Sequence, residues 1–524
     1  MGALTLKTFS DELREWEFIE ADGVDPMDSF GANLKLSIRE NQIFLVEPND
    51  PFLPWITNKG RLFFEGMFNK NLMNNFLNWE NKFETIFNLL YFLDHLNLKR
   101  KKIFSFIFAL ENVSLEILNM LYLLSQKYAF IQLRKVENYK INNDLESKYL
   151  LNDSVKKPKL NFSNFVIILN TNPRYEGYIL NLNLRQRFLK GNLKLFTLGP
   201  MLELTFPTRA LGSNFSILKF IGEGTNLTCQ DLKNSKFPIF ITNTELFKRS
   251  DFTNFIKIFK HINIINKAWN GINILHSSLS SVGVNSLNML LPLLYKDFVN
   301  FFGFYFINVL LNSNSNFKKL IELQLLKVFS ENTKINYKFF IDQNNFSVNE
   351  NILTKIGVQS KIYDNYFYLP NNLFLEDNET YINTEGLIKR TTKLISFKKE
   401  AKNNWQIIRK IYANLKQNLF LNNRKNNELI SFDCINLFNF KNYINFQFYA
   451  TQTLTSLSFY LTKQNKPLIK SNTSLKITKI KLFHTKLKLW LDDFFFNEKD
   501  LFSYNSSSLS NCSKTIRISS TNFF

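Results

Sequence analysis

Residues 165–173 read Phe-Val-Ile-Ile-Leu-Asn-Thr-Asn-Pro, five apolar residues followed by a polar turn. An apolar run this short, without alternating polar residues, is typical of a strand buried on both faces of a parallel sheet. Similar runs follow at Leu193 to Leu198, Pro238 to Ile241, Phe304 to Leu311 and Phe339 to Ile341. Amphipathic stretches of helix length, such as Ile179 to Leu189 and Phe252 to Ala268, separate several of them. This order predicts an α/β fold with doubly wound parallel sheets covered by helices.

The same alternation continues on both sides of these segments. Upstream, the sequence predicts a helix from Trp79, a strand within Ile103 to Leu110 and a helix over Ser114 to Tyr128. Downstream, apolar residues recur with helical spacing from Trp405 to Leu415, which predicts a final helix.

A small β-rich domain is predicted at the N-terminus. Leu34, Leu36 and Ile38 alternate with polar neighbours, residues 39–41 predict a turn, and Ile43 to Val46 predict a returning strand. We place the domains at residues 1–72 (small β-rich), 73–235 and 236–420 (two α/β domains), 421–464 (a C-terminal segment) and 465–524 (an extension).

The composition accounts for the charge of the chain. Lys and Arg total 65 against 44 Asp and Glu, a formal net charge of +21, while Phe reaches 56 and Gly only 16. Phe, Asn, Lys and Ile have A/T-rich codons, so the bias indicates an A/T-rich genome such as that of an organelle. Lysine then accumulates on solvated surfaces, and the densest basic run, Lys99 to Lys102, lacks the aromatic platforms of single-strand binders. We therefore expect no nucleic-acid partner.

Other classes are excluded by cysteine usage and hydropathy. The three cysteines, Cys229, Cys434 and Cys512, are too few for a four-thiolate cluster and lack metal-binding spacing. The first 20 residues are rich in Asp and Glu, unlike a targeting peptide. The most apolar stretch, Phe298 to Leu311, is shorter than the ~20 residues that cross a bilayer, so we expect no membrane span.

Catalytic and cofactor-binding motifs are absent from the sequence. Neither GxGxxG nor GxxxxGK[ST] nor GxSxG occurs, and we expect Gly222 to Gly224 to be an ordinary turn. The histidines are His95, His261, His276 and His484. They lack HxxxH or HExxH spacing, which favours structural roles. The sequence therefore names no catalytic, cofactor-binding or metal-binding residue.

Ordered segments along the chain resemble one known family. They are Met1 to Thr5, Arg14 to Glu17, Asp25 to Asn33, Trp55 to Arg61, Thr171 to Glu176, Asn183 to Arg187, Trp269 to His276, Tyr381 to Gly386, Trp405 to Arg409 and Phe448 to Thr451. Over about residues 1–464 they resemble the molybdopterin-oxidoreductase-like C-terminal part of the seventy-five-kilodalton subunit of respiratory complex I, NADH:ubiquinone oxidoreductase. The resemblance implies an α/β fold of the molybdopterin oxidoreductase type, as in formate dehydrogenase and DMSO reductase.

The same resemblance bears on iron–sulfur clusters. In the family, a Gly-Ala-Leu-Thr segment follows the last cysteine ligand of a cluster in a ferredoxin-like region, and here it is Gly2 to Thr5. This implies that a separate polypeptide carries that region. Some relatives hold a further cluster in the small β domain, but no cysteine precedes Cys229. We expect residues 1–72 to be a degenerate form of that domain without cluster ligands.

The resemblance also implies loss of the molybdopterin cofactor. The loop Thr171 to Pro173 resembles the one through which catalytic relatives contact it, but Asn170 replaces the usual Gly and Asn312 to Asn314 replace Gly-Ala-Asp. Added side chains would close the pocket. We expect no cofactor on this chain and a structural turn at this loop, with Arg174 pairing with Glu176 or with a partner's carboxylate.

The function implied by the resemblance is structural. We expect a non-catalytic subunit of the peripheral arm of mitochondrial complex I, on the matrix side of the inner membrane and encoded by the organelle. Its partners would be other peripheral-arm subunits, especially a ferredoxin-like iron–sulfur chain. The alternative is a catalytic molybdopterin-dependent oxidoreductase subunit.

Residues 465–524 have no counterpart in that family. Lys479 to Leu482 and Lys486 to Leu489 alternate with period two, which predicts strands with one basic face. Phe494 to Phe496 would favour aggregation if exposed, so we expect it to pack either on a neighbouring subunit or within this chain. From Asn505 the polar sequence predicts a mobile tail.

Overall fold

The computed structural model describes, with short gaps, residues 14–68, 105–135, 153–307 and 372–412, together with residues 338–342, 366–369 and 506–512. The strands are β1 (Ile19–Val24), β2 (Asn33–Arg39), β3 (Gln42–Pro48), β4 (Ser105–Leu110), β5 (Ile131–Lys135), β6 (Phe165–Leu169), β7 (Lys194–Leu198), β8 (Arg209–Gly212), β9 (Pro238–Asn243), β10 (Ile272–Leu275), β11 (Leu291–Pro292), β12 (Phe301–Ile307), β13 (Lys338–Asp342), β14 (Tyr366–Leu369), β15 (Thr380–Ile382) and β16 (Ile388–Arg390). The helices are α1 (Asn58–Leu62), α2 (Leu115–Lys127), α3 (Pro173–Glu176), α4 (Tyr178–Leu189), α5 (Ile217–Glu223), α6 (Thr228–Asn234), α7 (Phe252–His261), α8 (Ser281–Ser286), α9 (404–412) and α10 (507–512).

The N-terminal sheet is antiparallel in the order β1-β2-β3, as the alternating pattern predicts. Glu40 and Asn41 have φ of 49° and 65°, and such left-handed pairs give the tight turn that matches strand twist. Leu34, Leu36 and Val46 are fully buried on the inner face. A 3₁₀ helix at Phe63–Phe68 follows α1 and places the aromatic rings of its first two residues in the same core.

A five-stranded parallel sheet forms around β6, the strand of the apolar run at residues 165–169. The order is β10-β9-β6-β7-β8, so the first strand in the chain is central and its neighbours come from both directions. Every residue of β6 and β9 is buried, which explains their unbroken apolar sequence. This arrangement confirms a doubly wound sheet.

A six-stranded parallel sheet repeats the same winding in the order β11-β5-β4-β12-β13-β14. Strand β4 is the first of its strands in the chain and lies in the middle. Helix α2 packs on the sheet beside β5, with Ile117, Leu121 and Leu124 buried in one core with residues of β4 and β5, and Ile408 and Ile411 of α9 join the same core.

The strands of the two sheets do not separate at residue 235, and the boundary expected there is wrong. Strands β9 and β10 lie beyond that residue but pair with β6 and with each other. Strands β4 and β5 precede it but share a sheet with β12. The five-stranded unit is therefore inserted in the chain between β5 and β11. Pairing between distant strands decides which sheet each strand joins, and local sequence does not encode this pairing. The other boundaries stay predictions.

Several predicted limits shift in the structure. Strand β12 (Phe301–Ile307) begins earlier than predicted, and its pairing with β4 is irregular between Phe301 and Gly303. Residues 308–311 of the predicted run lie outside the described residues. Helix α7 ends at His261, short of the predicted Ala268. The helix predicted from Trp79 lies outside the described residues. The predicted mobile tail is wrong for residues 507–512, which form α10. No helix in the described residues has the length and apolarity to cross a membrane.

Candidate functional site

Doubly wound sheets bind ligands beyond the carboxyl ends of their strands, where the strand order reverses. In the five-stranded sheet this switch point lies between β6 and β9, and in the six-stranded sheet between β4 and β12. The residues that follow these strands therefore form the candidate site. In both sheets, the described residues at the carboxyl ends of the strands contact other parts of the same chain.

Asn170 closes the switch point of the five-stranded sheet. It follows β6 with a left-handed φ of 50°, a conformation that glycine and asparagine adopt most readily. Its backbone N–H donates to the carbonyl of Leu198 at 2.9 Å, and its carbonyl accepts from Nδ2 of Asn243 at 2.8 Å. A Cβ added to Gly199 would lie 3.3 Å from Cα of Asn170. The loops after β6 and β9 are thus joined directly.

The next residues form a self-contained turn. Asn172 caps α3 because its Oδ1 accepts from the N–H of Arg174 at 3.0 Å, and Pro173 occupies the first helical position. The hydroxyl of Thr171 donates to the carboxylate of Glu176. The predicted pairing of Arg174 with Glu176 is therefore wrong, because the carboxylate turns back toward the preceding threonine. Instead, Nη1 of Arg174 lies 3.5 Å from Oε2 of Glu203.

The neighbouring strand end is covered by two distant segments. The N–H of His276, directly after β10, donates to Oγ1 of Thr384 at 3.4 Å. The N–H of Thr384 donates to the carbonyl of Ser29 at 2.9 Å, and Nδ2 of Asn383 donates to the carbonyl of Phe30 at 3.0 Å. All of these residues are at most 4% exposed. The N-terminal domain and the β15–β16 hairpin therefore meet the sheet in a buried junction.

Asn383 fixes the turn of that hairpin. Its Oδ1 accepts from the N–H groups of Glu385 at 3.0 Å and Leu387 at 2.7 Å, so one side chain satisfies donors within the turn. Gly386 adopts a φ of 79°, which places an achiral residue where side chains are strained. The sequence motif around these residues marks a turn, but their contacts with Phe30 required the structure.

The start of the hairpin contacts the other sheet. Helix α2 begins just after β4, and its Glu116 is 7% exposed. The carboxylate accepts from the N–H of Thr380 at 3.1 Å and from the threonine hydroxyl. One short hairpin therefore connects residues at the carboxyl edges of both sheets.

Buried carboxyl groups accumulate around this junction. Burial raises the pKa of Glu379 to about 8 and that of Asp377 to about 7. In the N-terminal domain, burial raises the pKa of Asp25 to about 6 and that of Asp28 well above its usual range. The hydroxyl of Tyr381 donates to Glu379 at 2.5 Å. These groups hold protons at pH values where exposed carboxylates are ionised.

Replacing Glu379 by Gln is expected to weaken the loss of stability at alkaline pH. The folded chain keeps a proton on Glu379 that the unfolded chain releases above its ordinary pKa of 4.5. The free energy of unfolding therefore falls as pH rises from about 4.5 to about 8. In Glu379→Gln this contribution is absent, so melting temperatures measured from pH 5 to 9 should fall less steeply than in the wild type.

Tyr381→Phe is the matched control for that experiment. It removes the hydrogen bond from the phenol but leaves the carboxyl group buried, so the melting temperature should drop while the fall toward alkaline pH remains. Parallel pH curves for wild type and Glu379→Gln would contradict the assignment of a retained proton to this residue.

Histidine and glycine positions agree with structural roles. His276 is 1% exposed within the junction, and Gly224 ends α5 with a left-handed φ of 82°. His95 and His484 lie outside the described residues, as do Cys434 and Asn312 to Asn314. Within the described part of the chain no three His, Cys, Asp or Glu residues are grouped to hold a metal, and Cys229 and Cys512 are free thiols.

Sequence reasoning missed the residues that build the junction. Glu116 and Glu379 lie in none of the segments that carry the family resemblance, and Glu116 contacts a residue 264 positions further along the chain. Thr384 lies in the segment Tyr381 to Gly386, but its contacts with the sheet were not predicted. The local signal that could have pointed to them was the Asn-Thr-Glu-Gly turn at residues 383–386.

Comparison with known proteins identifies the family. The family model described as molybdopterin oxidoreductase matches residues 104–414. The chain belongs to the molybdopterin oxidoreductase family. This match and the two doubly wound sheets confirm the predicted fold class.

Within this family the chain is similar to respiratory proteins. It is 28% identical over 446 residues to the NADH-ubiquinone oxidoreductase 75 kDa subunit of Reclinomonas americana, covering 80% of this chain and 60% of that protein. It is 24% identical to the mitochondrial NADH-ubiquinone oxidoreductase 78 kDa subunit of Candida albicans, covering 79% and 55% respectively. An NADH-quinone oxidoreductase subunit of Rickettsia bellii is 25% identical over 54% of this chain and 43% of that protein. The resemblance stated from the sequence is confirmed, and the chain spans about half the length of these relatives.

One solved structure is similar over part of its length. Acetylene hydratase from Pelobacter acetylenicus superposes with a TM-score of 0.46 at 10% identity, covering 75% of this chain and 69% of that chain.

The carboxyl edge of the five-stranded sheet is held together by hydrogen bonds within the chain. In doubly wound sheets, the phosphate groups of nucleotide-type ligands are held by free backbone N–H donors at this edge. Here the N–H groups of Asn170, His276 and Thr384 already donate within the chain. The ring of Phe30 is buried in the core of the five-stranded sheet, with its edge 3.0 Å from where a Cβ on Gly177 would lie. These contacts join the chain's own segments at this edge.

Proposed function

We propose that this chain is a non-catalytic, structural subunit of respiratory complex I. Support comes from the family match, from the relatives named as NADH-ubiquinone and NADH-quinone oxidoreductase subunits, and from the contact between Asn170 and Asn243 at the switch point. The carrying observation is the direct hydrogen bond between Asn243 and Asn170, because it closes the place where a redox cofactor of this fold would bind.

In this proposal the chain positions its neighbours and transfers no electrons itself. Its three dispersed cysteines favour iron–sulfur clusters carried outside residues 1–524, on a ferredoxin-like region that this chain supports. Burial of surface between subunits would then supply the binding energy. The partners are peripheral-arm subunits, with neither nucleic acid nor molybdopterin bound by this chain.

The proposed location is the matrix side of the mitochondrial inner membrane. The Candida albicans relative is described as mitochondrial, and the A/T-biased composition favours an organelle gene. The large positive charge is then a property of solvated surfaces.

Native purification through an affinity tag on this chain tests the proposal. We expect the chain to copurify with iron–sulfur polypeptides and with NADH:ubiquinone oxidoreductase activity, in an assembly far larger than the chain alone. Mass spectrometry should place the cluster cysteines outside residues 1–524, and elemental analysis should find iron without stoichiometric molybdenum or tungsten. An untagged strain taken through the same column is the control.

Two results would contradict it. Stoichiometric molybdenum or tungsten in the purified chain would favour a catalytic molybdopterin oxidoreductase. Recovery of the chain apart from NADH-oxidising activity would remove the assignment to the respiratory complex.

A further inference from the structure

A second interface joins the N-terminal domain to a segment near the C-terminal end of the sequence. Residues 506–512, the serine-rich segment, comprise Ser506 and helix α10. Ser506 is 1% exposed and Leu509 is fully buried, so this polar stretch has a packed side. It lies outside residues 104–414, the part matched by the family.

Glu65 of the N-terminal domain is the residue that receives this segment. Its Oε2 accepts from Oγ of Ser506 at 2.8 Å and from the N–H of Ser508 at 3.3 Å. Its Oε1 accepts from Oγ of Ser508 at 2.9 Å. Oγ of Ser506 in turn accepts from the N–H of Leu509 at 3.2 Å. Both carboxylate oxygens and the first turn of α10 are thus linked in one network.

The position of Glu65 depends on the core of the N-terminal domain. It lies on the 3₁₀ helix at Phe63–Phe68, and the preceding Phe63 and Phe64 are 0% and 2% exposed. These rings pack with Leu34 and Val46 of the antiparallel sheet. A contact made on Glu65 therefore acts directly on an element anchored in that core.

We propose that the surface at Glu65 is an intramolecular docking site whose occupant is the chain's own serine-rich segment, residues 506–512. Docking of this segment stabilises the N-terminal domain. Hydrogen bonds to an ionised carboxylate are stronger than neutral ones, and burial of Leu509 adds apolar contact. The interface joins residues 441 positions apart, so it connects the extension (residues 465–524) with the N-terminal domain. The inference is independent of the role in complex I.

Hydrogen exchange on the full-length chain tests this interface. Ser508→Ala removes one hydroxyl bond to Glu65, and Glu65→Ala removes the whole acceptor. We expect exchange of the amides of residues 506–512 to accelerate about tenfold in Ser508→Ala and more in Glu65→Ala, since charge-assisted bonds are lost. Ser507→Ala is the matched control, because Ser507 is exposed and lies between the two bonded serines.

A deletion of residues 506–524 tests the effect on the N-terminal domain without altering that domain. Exchange of residues 58–68 should accelerate by at least about threefold in the deletion variant, and to a smaller degree in Ser508→Ala. Unchanged exchange of residues 58–68 in the deletion variant would overturn the stabilising role. Wild-type protection of residues 506–512 in Glu65→Ala, or protection that falls on dilution as it would if a second copy were the occupant, would overturn the docking site.

Discussion

Gly271→Ala is expected to destabilise the five-stranded sheet strongly. A Cβ at this position would lie 2.2 Å from the carbonyl oxygen of Pro238, a separation that backbone atoms cannot relieve without moving. The same carbonyl accepts from Nε1 of Trp269 at 2.9 Å, and the carbonyl of Gly271 accepts from the N–H of Phe240 at 2.7 Å. The clash therefore falls where β9 and β10 begin their pairing.

The expected cost is about 3 kcal/mol or more in the free energy of unfolding, which is a large share of the stability of an ordinary domain. Urea unfolding followed by circular dichroism measures it. Gly224→Asn is the control, because the αL position of Gly224 has no atom within 4 Å of an added Cβ and asparagine tolerates that conformation. An alanine variant as stable as the wild type would show that the two strands do not approach as described.

Arg187→Met is expected to lower the free energy of unfolding by about 2–4 kcal/mol. The side chain of Arg187 is 6% exposed and bonds backbone rather than a carboxylate. Its Nε and Nη2 donate to the carbonyl of Ser163 at 3.1 and 2.8 Å, and Nη1 donates to the carbonyl of Gly191 at 2.7 Å. Nη2 also donates to Oδ1 of Asn164 at 3.1 Å. Methionine preserves the apolar stem but leaves these acceptors without donors.

Arginine supplies several donors in a fixed plane, so lysine should restore only part of the stability. Arg185→Met, on the exposed side of the same helix, is the control and should change the free energy of unfolding by less than about 0.5 kcal/mol. Equal stabilities for Arg187→Met and Arg185→Met in urea titrations would contradict the structural role of Arg187.

Local patterns accounted for the central strands and the longer helices of the described residues. The run at residues 165–169 forms β6 with the predicted limits, and the alternation at residues 34–38 forms β2. Asn170 stands where the family usually has glycine, and its left-handed φ supplies the reason. Both strand predictions succeeded for one reason, since burial on one or both faces of a strand leaves a short-range pattern of apolar residues in the sequence.

The sequence by itself determined that the chain winds parallel sheets, follows a small β domain and carries none of the motifs of a redox site. Only the tertiary structure decided that one sheet is inserted into the other, that Thr384 and Glu116 connect one hairpin to the carboxyl edges of both sheets, and that Ser508 docks on Glu65. Strand and helix propensities act over a few residues, whereas these contacts join residues more than 100 positions apart. Their energy comes from burial and hydrogen bonding that exist only after the chain has folded.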